Sequence, residues 1–133
     1  MKTKSGVYWV STVLLALGVL SGGVSQATHQ QDTIAGILRL GYPLYFITLL
    51  GIWKVFGAIV ILIPRFPRLK EWAYAGIFFE MTGASFSHFM CDDYGAYAFH
   101  LIVPLLFAIL AILSWALRPN GRTLGILLTA KTA

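Results

Sequence analysis

"GIWKVFGAIV", residues 51–60, places one lysine in the middle of a hydrocarbon segment. Glu80 sits in the same way inside the next apolar segment. A charge at the centre of a bilayer costs about 2.5–3.5 kcal/mol on insertion scales, so it belongs where something offsets it. Opposite charges at one depth offset each other by pairing. A Lys54–Glu80 pair has two readings: a clip that fixes the register of two helices, or a ligand-binding or proton-active intramembrane site. Without pairing, Lys54 reaches for the interface and Glu80 holds a proton.

A second set of polar residues lies in "SHFMCDDYGAYAFH", residues 87–100: His88, Cys91, Asp92, Asp93 and His100. Imidazole, thiolate and carboxylate are all metal-ligand types. Their spacing matches no short ligand motif. The expectation is therefore a hydrogen-bonded mouth to an inner cavity, without metal, with His88, His100 and Asp92 as ligand-binding candidates. Pro104 cannot donate to the carbonyl of His100. That allows a polar lining beside the histidine or a packed kink. Cys91 is the sole cysteine, which excludes an intrachain disulfide and a dithiol couple. No phosphate loop, zinc-protease helix or serine-hydrolase elbow is present. No catalytic residue is assigned, and whether the chain is an enzyme stays open at this level.

The elements that must position these groups follow from composition. The chain has 133 residues, 58% of them hydrophobic and 11% charged. Soluble domains carry about a quarter charged residues, so the expected solvent is a lipid bilayer. The net charge of +5 does not indicate nucleic acid, because the basic residues sit in short clusters between apolar runs. Four runs approach the roughly 20 residues that cross a bilayer: about 7–24, 43–63, 71–90 and 97–117. Helices satisfy their own backbone in lipid, and Pro64 and Pro67 separate the second run from the third. The expected fold is all-α, a single domain over residues 1–133 built as an integral membrane four-helix bundle with a loose tail over 120–133.

Orientation follows from the basic residues. Lys2 and Lys4 precede the first run, Arg65, Arg68 and Lys70 lie between the second and third, and Arg118, Arg122 and Lys131 follow the fourth. Four crossings put all of these on one side, leaving Arg39, Asp32, Asp92 and Asp93 on the other. Both termini are expected in the cytoplasm. The rival reading treats the first run as a signal peptide cut after Ala27 in "SQA". It is long for one, and the retained helix is preferred. Lys54 lies roughly 16 Å from Arg65 along its helix and Glu80 roughly 15 Å from Lys70, at the helical rise. On antiparallel neighbours the two charges share a depth. Gly51, Lys54 and Ala58 fall on one stripe with Gly57 beside it, Gly76, Glu80, Gly83 and Ser87 on another, and Ser11, Gly18 and Gly22 on a third. These small residues are expected to bring helices into close contact.

The segment from Leu40 to His88 resembles the DoxX-like family of small four-span membrane proteins, through "LGYP", "GIWKVFGA", "PRFPRLKEWAYAG" and "GASFSH". "YWVSTVLLAL" in the first run is similar to the family's start, so the likeness reaches nearly all of the chain except the tail. It implies a four-helix bundle in a bacterial cytoplasmic membrane. Lys54, Glu71, Gly83 and His88 fall inside the matching motifs. Glu80 stands where the family carries a polar residue, often Asp or Asn, and Cys91 replaces a glycine before Asp92. The family takes its name from a subunit of a thiosulfate:quinone oxidoreductase, and some relatives are tied to redox and oxidative-stress assemblies. The resemblance thus implies a redox-linked subunit holding a quinone-like ligand near Lys54, Glu80 and His88, with membrane redox proteins as partners. Its rivals are a small solute or proton-coupled transporter and an assembly protein with no chemistry. The oligomeric state is not legible.

Overall fold

The computed structural model describes residues 2–123. Its helices are α1 (Lys2–Ala27), α2 (Gln31–Arg39), α3 (Leu44–Leu62), α4 (Pro67–Met90) and α5 (Phe99–Ala116). One-turn 3₁₀ segments, Ala96–Ala98 and Asn120–Arg122, flank α5. The described residues contain no strand, and the chain is all-α, of the membrane type. Most of the expected tail, including Lys131, lies outside the described residues.

Local sequence explains the helix ends. Pro43 stands just ahead of α3 in extended conformation. Pro67 opens α4, where a missing N–H costs nothing and φ is already helical. Arg65 and Phe66 adopt left-handed conformations between α3 and α4, so the chain reverses within "IPRFPRLK". α5 runs through Pro104 as one helix.

α1, α3 and the segment Ala96–Ala116 are long and apolar enough to cross a membrane. α4 is 24 residues long but is not among them. Glu80, Thr82, Ser85, Ser87 and His88 lower its hydropathy. Those polar groups find partners inside the protein, as described below.

The connection between the first and second apolar runs forms an amphipathic helix, α2, with Asp32 in its first turn and Arg39 in its last, matching the helix dipole.

The four long helices alternate in direction. At one end the start of α1 meets the end of α5, where Thr12 Oγ1 lies 2.6 Å from Ser114 Oγ. Tyr74 of α4 joins them through its hydroxyl, 2.7 Å from Ser114 Oγ. At the other end Ser85 Oγ of α4 donates to the Leu101 carbonyl of α5 at 2.7 Å, and His29 after α1 meets Thr48 of α3 at 2.7 Å. The core between them gathers Leu15, Val19, Ala58, Ile61, Ile77 and Ala111.

The helices are not equally spaced. α1 packs most extensively on α3 and α4 on α5, while α3 and α4 touch much less. The α1–α3 approach is set by Gly23 and Gly51. A Cβ on Gly51 would lie 2.7 Å from the Gly23 carbonyl oxygen and 2.6 Å from the Ala27 nitrogen. Only glycine fits where two backbones come this close. Gly76 and Gly83 correct the expectation of close packing: nothing lies within 4 Å of a Cβ built on either. They face the gap that the splayed α3 and α4 leave.

Candidate functional site

The gap is a cavity of about 870 Å³ between α3 and α4, reaching Ile37 of α2 and His88 near the end of α4. Its walls are mostly apolar. Trp53 and Phe56 on α3, and Trp72 and Phe79 on α4, line it and are exposed on the helix surface. Gly76 and Gly83 line it too, and their missing side chains keep the α4 wall low.

Lys54 and Glu80 lie in this cavity wall. Lys54 Nζ is 3.2 Å from Glu80 Oε1, and the two side chains are only 10% and 18% exposed. A charged pair held this dry is a strong local dipole, because a low dielectric screens it little. Lys54 can come so close to α1 because Gly22 and Gly23 stand opposite it: a Cβ on Gly23 would lie 2.8 Å from the Lys54 Cβ.

Gln26 lines the same cavity and was missed at the sequence level. It is 6% exposed, and its Oε1 is buried without a hydrogen-bond partner among the described residues. Such an atom costs free energy until something donates to it. The segment "SQA" resembled a cleavage site, and the first span was expected to end near Val24. α1 instead continues to Ala27 and carries Gln26 inward. Tyr42 OH and Ser87 Oγ lie 2.6 Å apart where the approach to α3 meets the end of α4, and both residues line the cavity.

The second set of predicted residues is rearranged. His88 and His100 do come together, with ring centroids 4.9 Å apart. The carboxylate between them is Asp93. His88 Nδ1 is 3.4 Å from Asp93 Oδ2, and His100 Nδ1 is 3.5 Å from Asp93 Oδ1. Asp92, the carboxylate expected from the sequence, adopts a left-handed conformation. It is exposed, and it accepts a hydrogen bond from the Tyr94 hydroxyl at 3.0 Å. That bond to a carboxylate raises the Tyr94 hydroxyl above the usual phenol range. Cys91 is exposed, and His29 is engaged with Thr48 away from this cluster.

At the opposite end the basic residues do more than mark topology. Lys70 is fully buried, and its ammonium donates to the Val60 and Ile63 carbonyls. Arg122 lies 3.3 Å from the carbonyls of Ile61, Leu62 and Ile63. These are the last carbonyls of α3, which lack helical partners and carry the negative end of its dipole. Arg118 pairs with Glu71, whose other oxygen accepts from Trp115 Nε1 at 2.7 Å. The cluster ties α3, α4 and α5 together below the cavity.

A family model described as the DoxX-like family matches residues 10–114. No curated protein matches the chain, and no solved structure does.

Proposed function

We propose that this chain, which belongs to the DoxX-like family, is a four-span membrane subunit that holds a lipid-soluble, quinone-like molecule between α3 and α4. The observation that carries this reading is the cavity itself. Its walls are mostly apolar, and the few polar groups among them include the Lys54–Glu80 pair and the unpartnered Gln26 carbonyl oxygen. Binding sites for small apolar molecules have this composition, with few polar groups that set orientation. A quinone carbonyl accepts from Lys54, and a quinol hydroxyl donates to Gln26 or Glu80. The exposed Trp53, Phe56, Trp72 and Phe79 around the cavity suit entry from the bilayer.

In this reading the chain crosses four times with both termini in the cytoplasm. The end bearing Lys70, Arg118 and Arg122 then faces inward, and Asp92, Asp93 and His100 face outward. α4 crosses despite its polar content because its charge and hydroxyls are partnered inside the protein. Membrane redox proteins are the partner class this ligand implies.

The test is extraction of the detergent-purified protein with organic solvent, followed by mass spectrometry. A quinone or quinol near one per chain is expected, and none with Gly83→Phe. Purified protein that holds no such molecule, and takes up none when a quinone analogue is added, overturns the reading. Solute uptake into liposomes that is lost on Glu80→Gln would identify a transport path instead.

A further inference from the structure

We propose a second site, independent of whatever fills the cavity: His88, Asp93 and His100 bind one divalent transition-metal ion at the outer end of the protein. The sequence expectation was a mouth without metal, because the residue spacing matches no short motif. The fold assembles the ligands from separate elements. His88 comes from the end of α4, His100 from the start of α5, and Asp93 from the turn between them. One ligand atom from each lies within 4.8 Å of the others.

Both imidazoles face the Asp93 carboxylate, each nearest a different oxygen. The separations from imidazole nitrogen to carboxylate oxygen, 3.4 Å and 3.5 Å, are long for charge-assisted hydrogen bonds. Two of the atoms concerned, Asp93 Oδ2 and His100 Nδ1, are buried without a hydrogen-bond partner. Both can donate an electron pair to a cation. His88 Nδ1 lies 3.1 Å from the Asp93 backbone carbonyl oxygen. A proton on this nitrogen donates there; for Nδ1 to ligate a metal ion, the neutral ring carries its proton on Nε2 instead.

The turn is held in place before any ion arrives. Asp93 N donates to the His88 carbonyl, and His100 N to the Tyr94 carbonyl, each at 3.0 Å. Gly95 has φ +68, and a Cβ there would lie 3.0 Å from His100 Nδ1. Only glycine lets the turn lie against the ring. Two imidazoles and one carboxylate suit zinc or iron(II) and leave at least one position open to water. His88 also lines the α3–α4 cavity, so the ion sits at its outer mouth.

Full-length protein purified without a polyhistidine tag, stripped with chelator and titrated with zinc tests this. One zinc per chain is expected, with cobalt(II) giving the intense visible absorption of a four-coordinate site. Asp93→Asn and His100→Gln should each weaken zinc binding by on the order of 100-fold or more, beyond the loss typical of an outer-shell partner. Cys91→Ser, Asp92→Asn and the double change Lys54→Met with Glu80→Leu should leave it unchanged. Thermal melts of the metal-free variants confirm that each is folded. Folded wild-type protein that takes up no zinc overturns the proposal. So does binding that survives both Asp93→Asn and His100→Gln, or that is lost with Cys91→Ser.

Discussion

Lys54 Nζ and Glu80 Oε1 lie 3.2 Å apart on consecutive antiparallel helices, and neither helix offers another charge of opposite sign at that depth. Removing one partner leaves the other charge in low dielectric, which costs about 3–5 kcal/mol for a fully buried pair. Proton uptake by Glu80 or loss by Lys54 reduces that cost. Lys54→Met and Glu80→Leu should each lower the unfolding temperature of the detergent-solubilised protein. The double variant should recover much of the loss. Additive losses in this cycle would show that the two residues are not energetically coupled.

Gly76 and Gly83 line the cavity with open space where a side chain would stand. Gly76→Phe or Gly83→Phe should fill it and abolish ligand binding. Stability should hold or rise, since glycine inside a helix costs roughly 0.5–1 kcal/mol relative to alanine. Unfolding temperature and bound ligand, measured on the same preparation, separate the two effects. A large drop in stability would mean that α3 and α4 close on each other.

Gly23 and Gly51 should respond in the opposite way. Each meets backbone atoms of the facing helix below 3.0 Å from a built Cβ, and backbone cannot swing aside. Gly51→Val should cost at least the roughly 1–3 kcal/mol of an overpacked core. Melting temperature checks this, and a neutral result would place α1 and α3 further apart.

Glu71 holds both Arg118 and Trp115. Glu71→Ala removes two hydrogen bonds, one of them to a charged partner, and leaves Arg118 buried. Destabilisation of about 1.5–3 kcal/mol is expected, with Glu71→Gln intermediate. Equal stability of Glu71→Ala and wild type would reduce the cluster to a surface feature.

Topology is checked with reporter fusions. Fusions after Lys70 and after Ala133 should report the cytoplasm, and fusions near Asp32 and Asp93 the exterior. An external C-terminus, or mature protein beginning at Thr28, would remove the four-span arrangement.

What the sequence determined by itself is the presence of the long helices and the depth of a residue along them. Long apolar runs bounded by prolines and basic clusters fix helices of membrane length. Counting residues from Arg65 and Lys70 at a constant rise puts Lys54 and Glu80 at one depth. His88 and His100, each about one turn inside its own apolar run, share a depth as well. The DoxX-like motifs were legible for the same reason, since they are local strings. Tertiary structure decided everything that depends on which way a helix faces and how near its neighbour comes. The Gly23–Gly51 contact draws α3 towards α1, so α4 stands off. Two glycines that read as packing surface become a cavity wall. One further turn of α1 carries Gln26 into that cavity. A left-handed residue at Asp92 turns its side chain to solvent and hands the place between the histidines to Asp93. Lys70, a topology signal by sequence, is drawn into the protein by unpaired carbonyls at the end of α3. Each of these outcomes depends on how the chain turns and packs in three dimensions, which spacing along the sequence does not give.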